Sequence, residues 1–462
     1  MAQQIAEKFL KDSAEKAFEQ PHRDIINKSI DKYEQAFDSA KSKFFDLENS
    51  KVKANMIKWK AIENIDRYLL DFEANFSQRG GKVIWANDAE EALAEIEKII
   101  ADHDAKSVVK SKSMATEEIE LNQFLEKLGV ETIESDLGEF IIQLLGQKPY
   151  HFVTPAMHLS LEDIAKLFHE KFDMPLDATA EQLTLKAREL LREKYTQAAI
   201  GITGANFLIA DSGSIAITEN EGNARLTTTF PKVHIAVVGM EKIIPKLEDL
   251  DLFWPLLASH GTGQNLTVYN SLINGPRQPY ETDGPEEMYV ILLDNGRTNL
   301  LAEKEQRQGL YCIRCGSCLN VCPVYQNIGG HTYQTTYQGP IGSLISPHLQ
   351  GMKSFKHLSD ASTLCGKCTE VCPVGIDIQK MLLLNRRDAV AKDLSSSAEK
   401  KAWKGFTYAI QRRKLMDFFG ANIKNFFMRY FFKKSWGKQR ELPKMADKSF
   451  AQQWKEQEKK GH

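Results

Sequence analysis

All seven cysteines of this 462-residue chain fall between residues 312 and 372. They stand as Cys312-x2-Cys315-x2-Cys318-x3-Cys322-Pro323 and Cys365-x2-Cys368-x3-Cys372-Pro373. An exported disulfide framework is spread along its chain and even in number, so this odd, crowded set is of another kind. The first run has the bacterial ferredoxin spacing, in which three thiolates hold one iron–sulfur cubane and the fourth, before proline, reaches the other cluster. A structural zinc site needs only four ligands in two pairs, and accounts for neither the Cys-Pro ends nor the two related runs.

The crossing rule places Cys312, Cys315 and Cys318 with Cys372 on one cluster, and Cys365 and Cys368 with Cys322 on the other. One ligand is missing. Aligning the runs by their Cys-Pro ends puts Ser362 where the absent thiolate would stand. The second cluster is then a 3Fe-4S centre, a 4Fe-4S centre with an open or non-cysteine fourth iron, or a 4Fe-4S centre ligated by the Ser362 oxygen. The sequence leaves all three open.

The chain is 42% apolar and 26% charged, which excludes wholesale disorder or a fibrous repeat. At about 150 residues per domain, two to four domains are expected. Sixty basic against 62 acidic side chains leave a net charge of -2, so contact with nucleic acid or membrane has to be local. The start lacks the apolar core of a secretory signal, and no stretch approaches the roughly 20 apolar residues of a spanning helix. A cytoplasmic protein, with peripheral membrane contact as the lesser alternative, is the expectation.

Residues 1–78 read as a helical arm in which Phe9, Phe18, Ile25, Tyr33, Phe37, Phe44, Trp59, Tyr68 and Phe72 recur in a charged background, with Pro21 as the one break. From residue 79 to 300 strands and helices alternate. Strands are expected at Lys82–Ala86, Ser107–Lys110, Val130–Ser135, His151–Thr154, Ala198–Thr203, Phe207–Ala210, Ser214–Thr218, Val233–Gly239 and Tyr289–Leu293. Helices are expected at 89–101, 115–128, 160–172 and 179–195. That alternation predicts an α/β domain on a parallel sheet. The cysteine region spans 301–385, and its glycine-rich middle (Gly329, Gly330, Gly339, Pro340, Gly342) reads as loop. Residues 386–462 form a basic, aromatic helical segment. Between 400 and 440 many Lys and Arg face a single acid, Asp417, among Trp403, Phe406, Tyr408, Phe418, Phe419, Phe426, Phe427, Tyr430, Phe431, Phe432 and Trp436. Such a run suits docking on protein, an interfacial membrane helix or nucleic acid; docking is the preferred reading and nucleic acid is set aside.

Lys110-Ser111-Lys112-Ser113-Met114 lies where a strand ends and a helix begins, the outline of an anion pocket or simply a solvated turn capped by Ser113. Polar turns follow at 203–206, 211–214 and 219–225 and serve equally as hairpin turns. The chain has neither a dinucleotide-binding glycine fingerprint after a strand nor a P-loop, so a built-in flavin or nicotinamide site is not expected.

The ordered motifs VKSKSM, GITGANFLIADSGSIAITENEGNARL, VVGMEKIIP, DGPEE, DNGR, CIRCGSCLNVCPVY, GGHTY, GPIG and LCGKCTEVCPVGI closely resemble the lactate-utilisation protein B family over residues 1 to about 390. The resemblance implies an LUD-type α/β domain of the sugar-isomerase and CoA-transferase-like kind, joined to a helical, ferredoxin-like two-cluster domain. It implies the iron–sulfur subunit of a three-protein system, with companion proteins A and C, that oxidises L-lactate to pyruvate and passes electrons to an acceptor the sequence does not name. It carries ligand roles onto Cys312, Cys315, Cys318, Cys322, Cys365, Cys368 and Cys372. Two 4Fe-4S clusters are usual for the family, which implies a non-cysteine fourth ligand at one site. It also favours Lys110, Ser113, Thr203, Glu221 and Arg225 as the lining of a pocket. An electron-transfer subunit is the leading function. One alternative makes the α/β domain the catalytic site for a hydroxy acid, with Glu221 as nucleophile or base and the clusters as outlet. The other is a redox-sensing scaffold.

Overall fold

The computed structural model describes residues 2–436 and 441–459. Its ten strands are β1 (Lys82–Ala86), β2 (Ser107–Lys110), β3 (Glu131–Glu134), β4 (Ile200–Thr203), β5 (Phe207–Ile209), β6 (Ser214–Glu219), β7 (Val233–Gly239), β8 (Ile243–Ile244), β9 (Tyr269–Ile273) and β10 (Glu287–Leu293). Six build a sheet in the order β1-β10-β7-β4-β2-β3, parallel throughout. Central β7 reads Val-His-Ile-Ala-Val-Val-Gly and is buried at every position, as a strand with helices on both faces requires.

The other four strands form a separate mixed sheet, β8-β5-β6-β9, rather than extending the parallel one. Here β5 and β6 make an antiparallel hairpin. Gly213 turns it at φ 60°, and a Cβ there would fall 2.4 Å from the Phe76 nitrogen, so the turn seats directly on an N-terminal helix.

Three expectations are corrected. Residues 151–154 are not a strand: the His151 Nδ1 accepts the Val153 and Thr154 N–H groups and Tyr150 N–H donates to the Pro155 carbonyl, which curls the segment into a loop. The helix expected over 115–128 is two, Met114–Glu118 and Leu121–Lys127, parted by a left-handed Glu120 at φ 53°. The glycine-rich middle of the cysteine region contains the helix Gly339–Leu349, opened by Pro340 in its first turn.

The N-terminal segment forms helices Ala2–Lys16, Gln20–Lys41, Leu47–Glu63 and Ile65–Ser77, and Pro21 starts the second of them. They grip both the sheets and the cysteine region. Phe72 and Phe76 are fully buried and stacked at 5.6 Å against the smaller sheet's core. Buried Lys58 donates to the Glu241 and Ile243 carbonyls, while Asn55 donates to those of Val374 and Gly375. The Tyr33 hydroxyl lies between the His260 carbonyl and Ser317.

Residues 1–389 pack as one unit and 390–462 as a second. The second contains the helices Ser397–Ile410, Arg413–Phe418, Ala421–Trp436 and Phe450–Lys459. Its aromatic residues Trp403, Phe406, Phe418, Phe426, Tyr430 and Phe431 are exposed. Residues 437–440, the end of the basic aromatic run, lie outside the described residues. No described helix is long and apolar enough to cross a membrane.

Because Phe72 joins the arm to the core, Phe72→Ala should lower unfolding free energy by about 3–5 kcal/mol. Denaturant titration followed by circular dichroism measures this; an unshifted midpoint would mean that the arm does not share the core's cooperativity.

Candidate metal centre and adjoining cavity

The two cysteine runs fold into the same local shape. In the first, Arg314 (φ 62°) and Gly316 (φ 82°) are left-handed and open the short helix Ser317–Asn320. In the second, Leu364 (φ 55°) and Gly366 (φ 86°) do the same before Lys367–Glu370. These turns expose backbone N–H groups to the sulfurs. Cys315 accepts from the Ser317 N–H, Cys365 from that of Lys367, and Cys322 and Cys372 from the N–H groups after their prolines.

The chain crosses between the two sites. A cavity edged by Ile341, Ile376 and Ile378 takes Cys312, Cys315 and Cys318 from the first run and Cys372 from the second. Burial pushes the Cys315 thiol up to about 12, and Cys312 and Cys372 add their repulsion. Cys322, Cys365 and Cys368 form the other group: burial, together with the neighbouring Cys322 and Cys365, raises Cys368 to about 11. All seven are free thiols. Buried thiols turned on one another disfavour thiolates unless cationic iron joins them, so the donor set suits iron–sulfur clusters.

A larger cavity of about 380 Å³ opens at the carboxyl ends of β2, β4 and β7, where doubly wound sheets place ligands. Its wall includes Ser111–Ala115, Gly204–Asn206, Glu219–Glu221, Glu241 and Lys242, and also Arg314 and Tyr337 from the cysteine region. Of the residues singled out from sequence, Ser113 and Glu221 line it. Lys110, Thr203 and Arg225 do not. Lys110 is fully buried and paired with Glu134 at 2.7 Å and Glu117 at 3.2 Å. Thr203 hydrogen-bonds His234 at 2.8 Å, and Arg225 lies over the Tyr269 ring. The Glu221 carboxyl is pushed up to about 7 by desolvation in the cleft and by Asp136, against the pull of the Leu137 N–H.

Sequence reasoning missed the cavity's cationic end. Arg314 stacks 4.1 Å above Tyr337 and reaches Glu241 at 3.3 Å, while its Nε and Nη1 have no partner. Burial raises Glu241, but Arg297 and Arg314 outweigh it and hold the carboxyl down near 2. The available signal was an arginine inside Cys312-Ile313-Arg314-Cys315, a basic side chain two residues from a candidate thiolate.

The arrangement defines an LUD-domain protein with a 4Fe-4S dicluster domain. The LUD domain model matches residues 69–293 and the 4Fe-4S dicluster domain model residues 308–376. The chain is 39% identical over 451 residues to lactate utilization protein B of Shouchella clausii (strain KSM-K16), covering 95% of this chain and 94% of that one. It is 45% identical over 352 residues to the protein of the same name from Bacillus subtilis (strain 168), covering 76% and 73%. An uncharacterized electron transport protein of Escherichia coli (strain K12) is 42% identical over 389 residues, covering 83% and 82%. The chain belongs to the lactate utilization protein B family.

His234, the partner of Thr203, is fully buried, and burial pushes its pKa down to about 3. Below about pH 6.5 the unfolded chain takes up a proton that the folded chain refuses, so stability is full above that pH and falls as acid is added. The slope from this residue alone should reach about 1.4 kcal/mol per pH unit. Urea midpoints between neutral pH and pH 5 measure it; an unchanged slope in His234→Gln would contradict the assignment.

Proposed function

We propose that this chain is an iron–sulfur electron-transfer subunit of a multi-protein system that oxidises L-lactate to pyruvate, working with companion proteins A and C. The observation that carries the reading is the crossed grouping of Cys312, Cys315, Cys318 and Cys372 in one cavity. These would hold the first cluster, and Cys322, Cys365 and Cys368 the second, each relaying one electron at a time. The first group is mostly buried, whereas Cys365 is exposed beside Lys367. Electrons would enter at the interior cluster and leave through the surface one. The names of the relatives, lactate utilization protein B and electron transport protein, support the assignment.

A second reading, in which the α/β domain itself binds the hydroxy acid, is favoured by the larger cavity. A carboxylate held by the unpartnered nitrogens of Arg314 would lie next to a proposed ligand of the first cluster. Glu221 would serve there as base.

Anaerobically reconstituted chain should hold about eight iron atoms with matching acid-labile sulfide. It should fail to reduce a dye with L-lactate alone, yet be reduced by lactate once the companion proteins are present. Lactate-dependent dye reduction by the pure chain would transfer the assignment to the second reading; one zinc and no sulfide would end both.

The exposed basic and aromatic helices after residue 390 would provide docking surface for the companions. Truncation after residue 395 should leave iron content unchanged and weaken assembly in a pull-down. Undiminished assembly would remove that role, and salt-sensitive vesicle binding lost on truncation would give it to an anionic membrane.

A further inference from the structure

We infer that Ser362 is the fourth ligand of the second cluster, its side-chain oxygen standing in for the thiolate that the second run lacks. The inference rests on the proposed two-cluster reading and adds to it the one corner that the cysteines leave open.

Ser362 and Cys312 occupy the same place in a repeated turn. Each lies three residues before a cysteine followed by glycine, Cys365-Gly366 and Cys315-Gly316. The Arg314 N–H donates to the Cys312 Sγ at 3.4 Å, and the Leu364 N–H donates to the Ser362 Oγ at 3.1 Å. The donor is left-handed in both, at φ 62° and 55°. The serine oxygen is therefore turned back into its loop as the cysteine sulfur is turned into the first one. A left-handed leucine is costly for an L-residue. The second loop nevertheless keeps it, with left-handed residues at the same two positions as the first.

The turn is also pinned from behind. Arg386 donates from Nη2 to the Ser362 carbonyl at 3.2 Å and from Nε to that of Ser359 at 2.9 Å. Gln379 donates to the Leu364 carbonyl at 2.6 Å. These bonds hold the backbone on either side of the hydroxyl, while the Thr363 side chain hydrogen-bonds the Cys365 thiol.

Ligation breaks the serine O–H bond and forms an Fe–O bond, and the proton passes to solvent, to which neighbouring Thr363 and Cys365 are exposed. No electron is exchanged in that step. The fourth iron is then closed to substrate, so the second cluster serves only to relay electrons. A hard alkoxide also favours the oxidised cluster more than a thiolate does, and its release by protonation ties the potential to pH.

The test uses the full chain, reconstituted anaerobically, as wild type, Ser362→Ala and Ser362→Cys. Iron and sulfide are counted, electron paramagnetic resonance spectra are taken of oxidised and reduced samples, and redox titrations are run across neutral pH. Wild type should hold about eight irons. Ser362→Ala should lose about one iron on oxidation and show a 3Fe-4S signal, with the first cluster's signal intact. Ser362→Cys should keep all its iron, show no such signal, and titrate at a higher potential that no longer follows pH. Wild type that already shows the 3Fe-4S signal, or Ser362→Ala indistinguishable from wild type, would overturn the ligation while leaving the two-cluster reading in place. Loss of the first cluster's signal in wild type would overturn both.

Discussion

A buried network of charge ties the α/β domain to the cysteine region. Arg297, following β10, clamps Glu118 with two bonds of 2.9 and 2.8 Å and donates to Glu241 after β7. Glu241 also pairs with Arg314 in the first cysteine run, Tyr337 donates to Glu118, and Lys58 from the N-terminal arm caps the Glu241 carbonyl. The segments of Glu118, Glu241, Arg297, Arg314 and Tyr337, five stretches distant in sequence, thus meet at two carboxylates, with Lys58 on the Glu241 main chain. Removing one partner of a buried pair leaves an uncompensated charge and costs about 3–5 kcal/mol, so the network demands that all five arrive together. It also explains Gly239: a Cβ there would fall 2.2 Å from the Glu241 carboxylate and 2.5 Å from the Arg297 Nε.

The network does not balance itself. Against Glu118 and Glu241 stand Arg297 and Arg314, and the neighbouring Lys58 and Lys242, which burial lowers to about 7 and about 8, add a partial surplus of positive charge toward Cys312. A cluster carrying four thiolates is anionic, so on the proposed ligand set the protein field and the inorganic group offset each other. The same surplus would retain a carboxylate in the larger cavity. Both readings of the function draw on one electrostatic arrangement and differ in which anion it serves.

Much of this was legible in sequence because the signals were local. Spacing alone proposes two crossed groups of cysteines, and the Val-His-Ile-Ala-Val-Val-Gly run could be little other than a buried strand. The smaller sheet was hidden since β8 has only two residues and β9 pairs with β6 across some fifty positions, which no periodicity records. The cavity was harder still. Glu241, Arg297 and Arg314 each look like ordinary surface charges until the fold encloses them. Lys110 and Thr203 looked like site residues because they end strands beside polar turns, yet Lys110 is taken up by Glu134 and Thr203 by His234.

The crossed arrangement of the cysteines works like a clasp with two halves. Neither run contains a full set of sulfurs for either site, and between them lie the helices Gly339–Leu349 and Met352–Asp360. On the proposed ligand set, a chain emerging from the ribosome cannot finish one inorganic centre and wait for the next, since the first is incomplete until Cys372 has folded back. Metal loading therefore becomes a checkpoint on the whole unit: a molecule whose second loop is misplaced fails at both centres and carries no half-working wire.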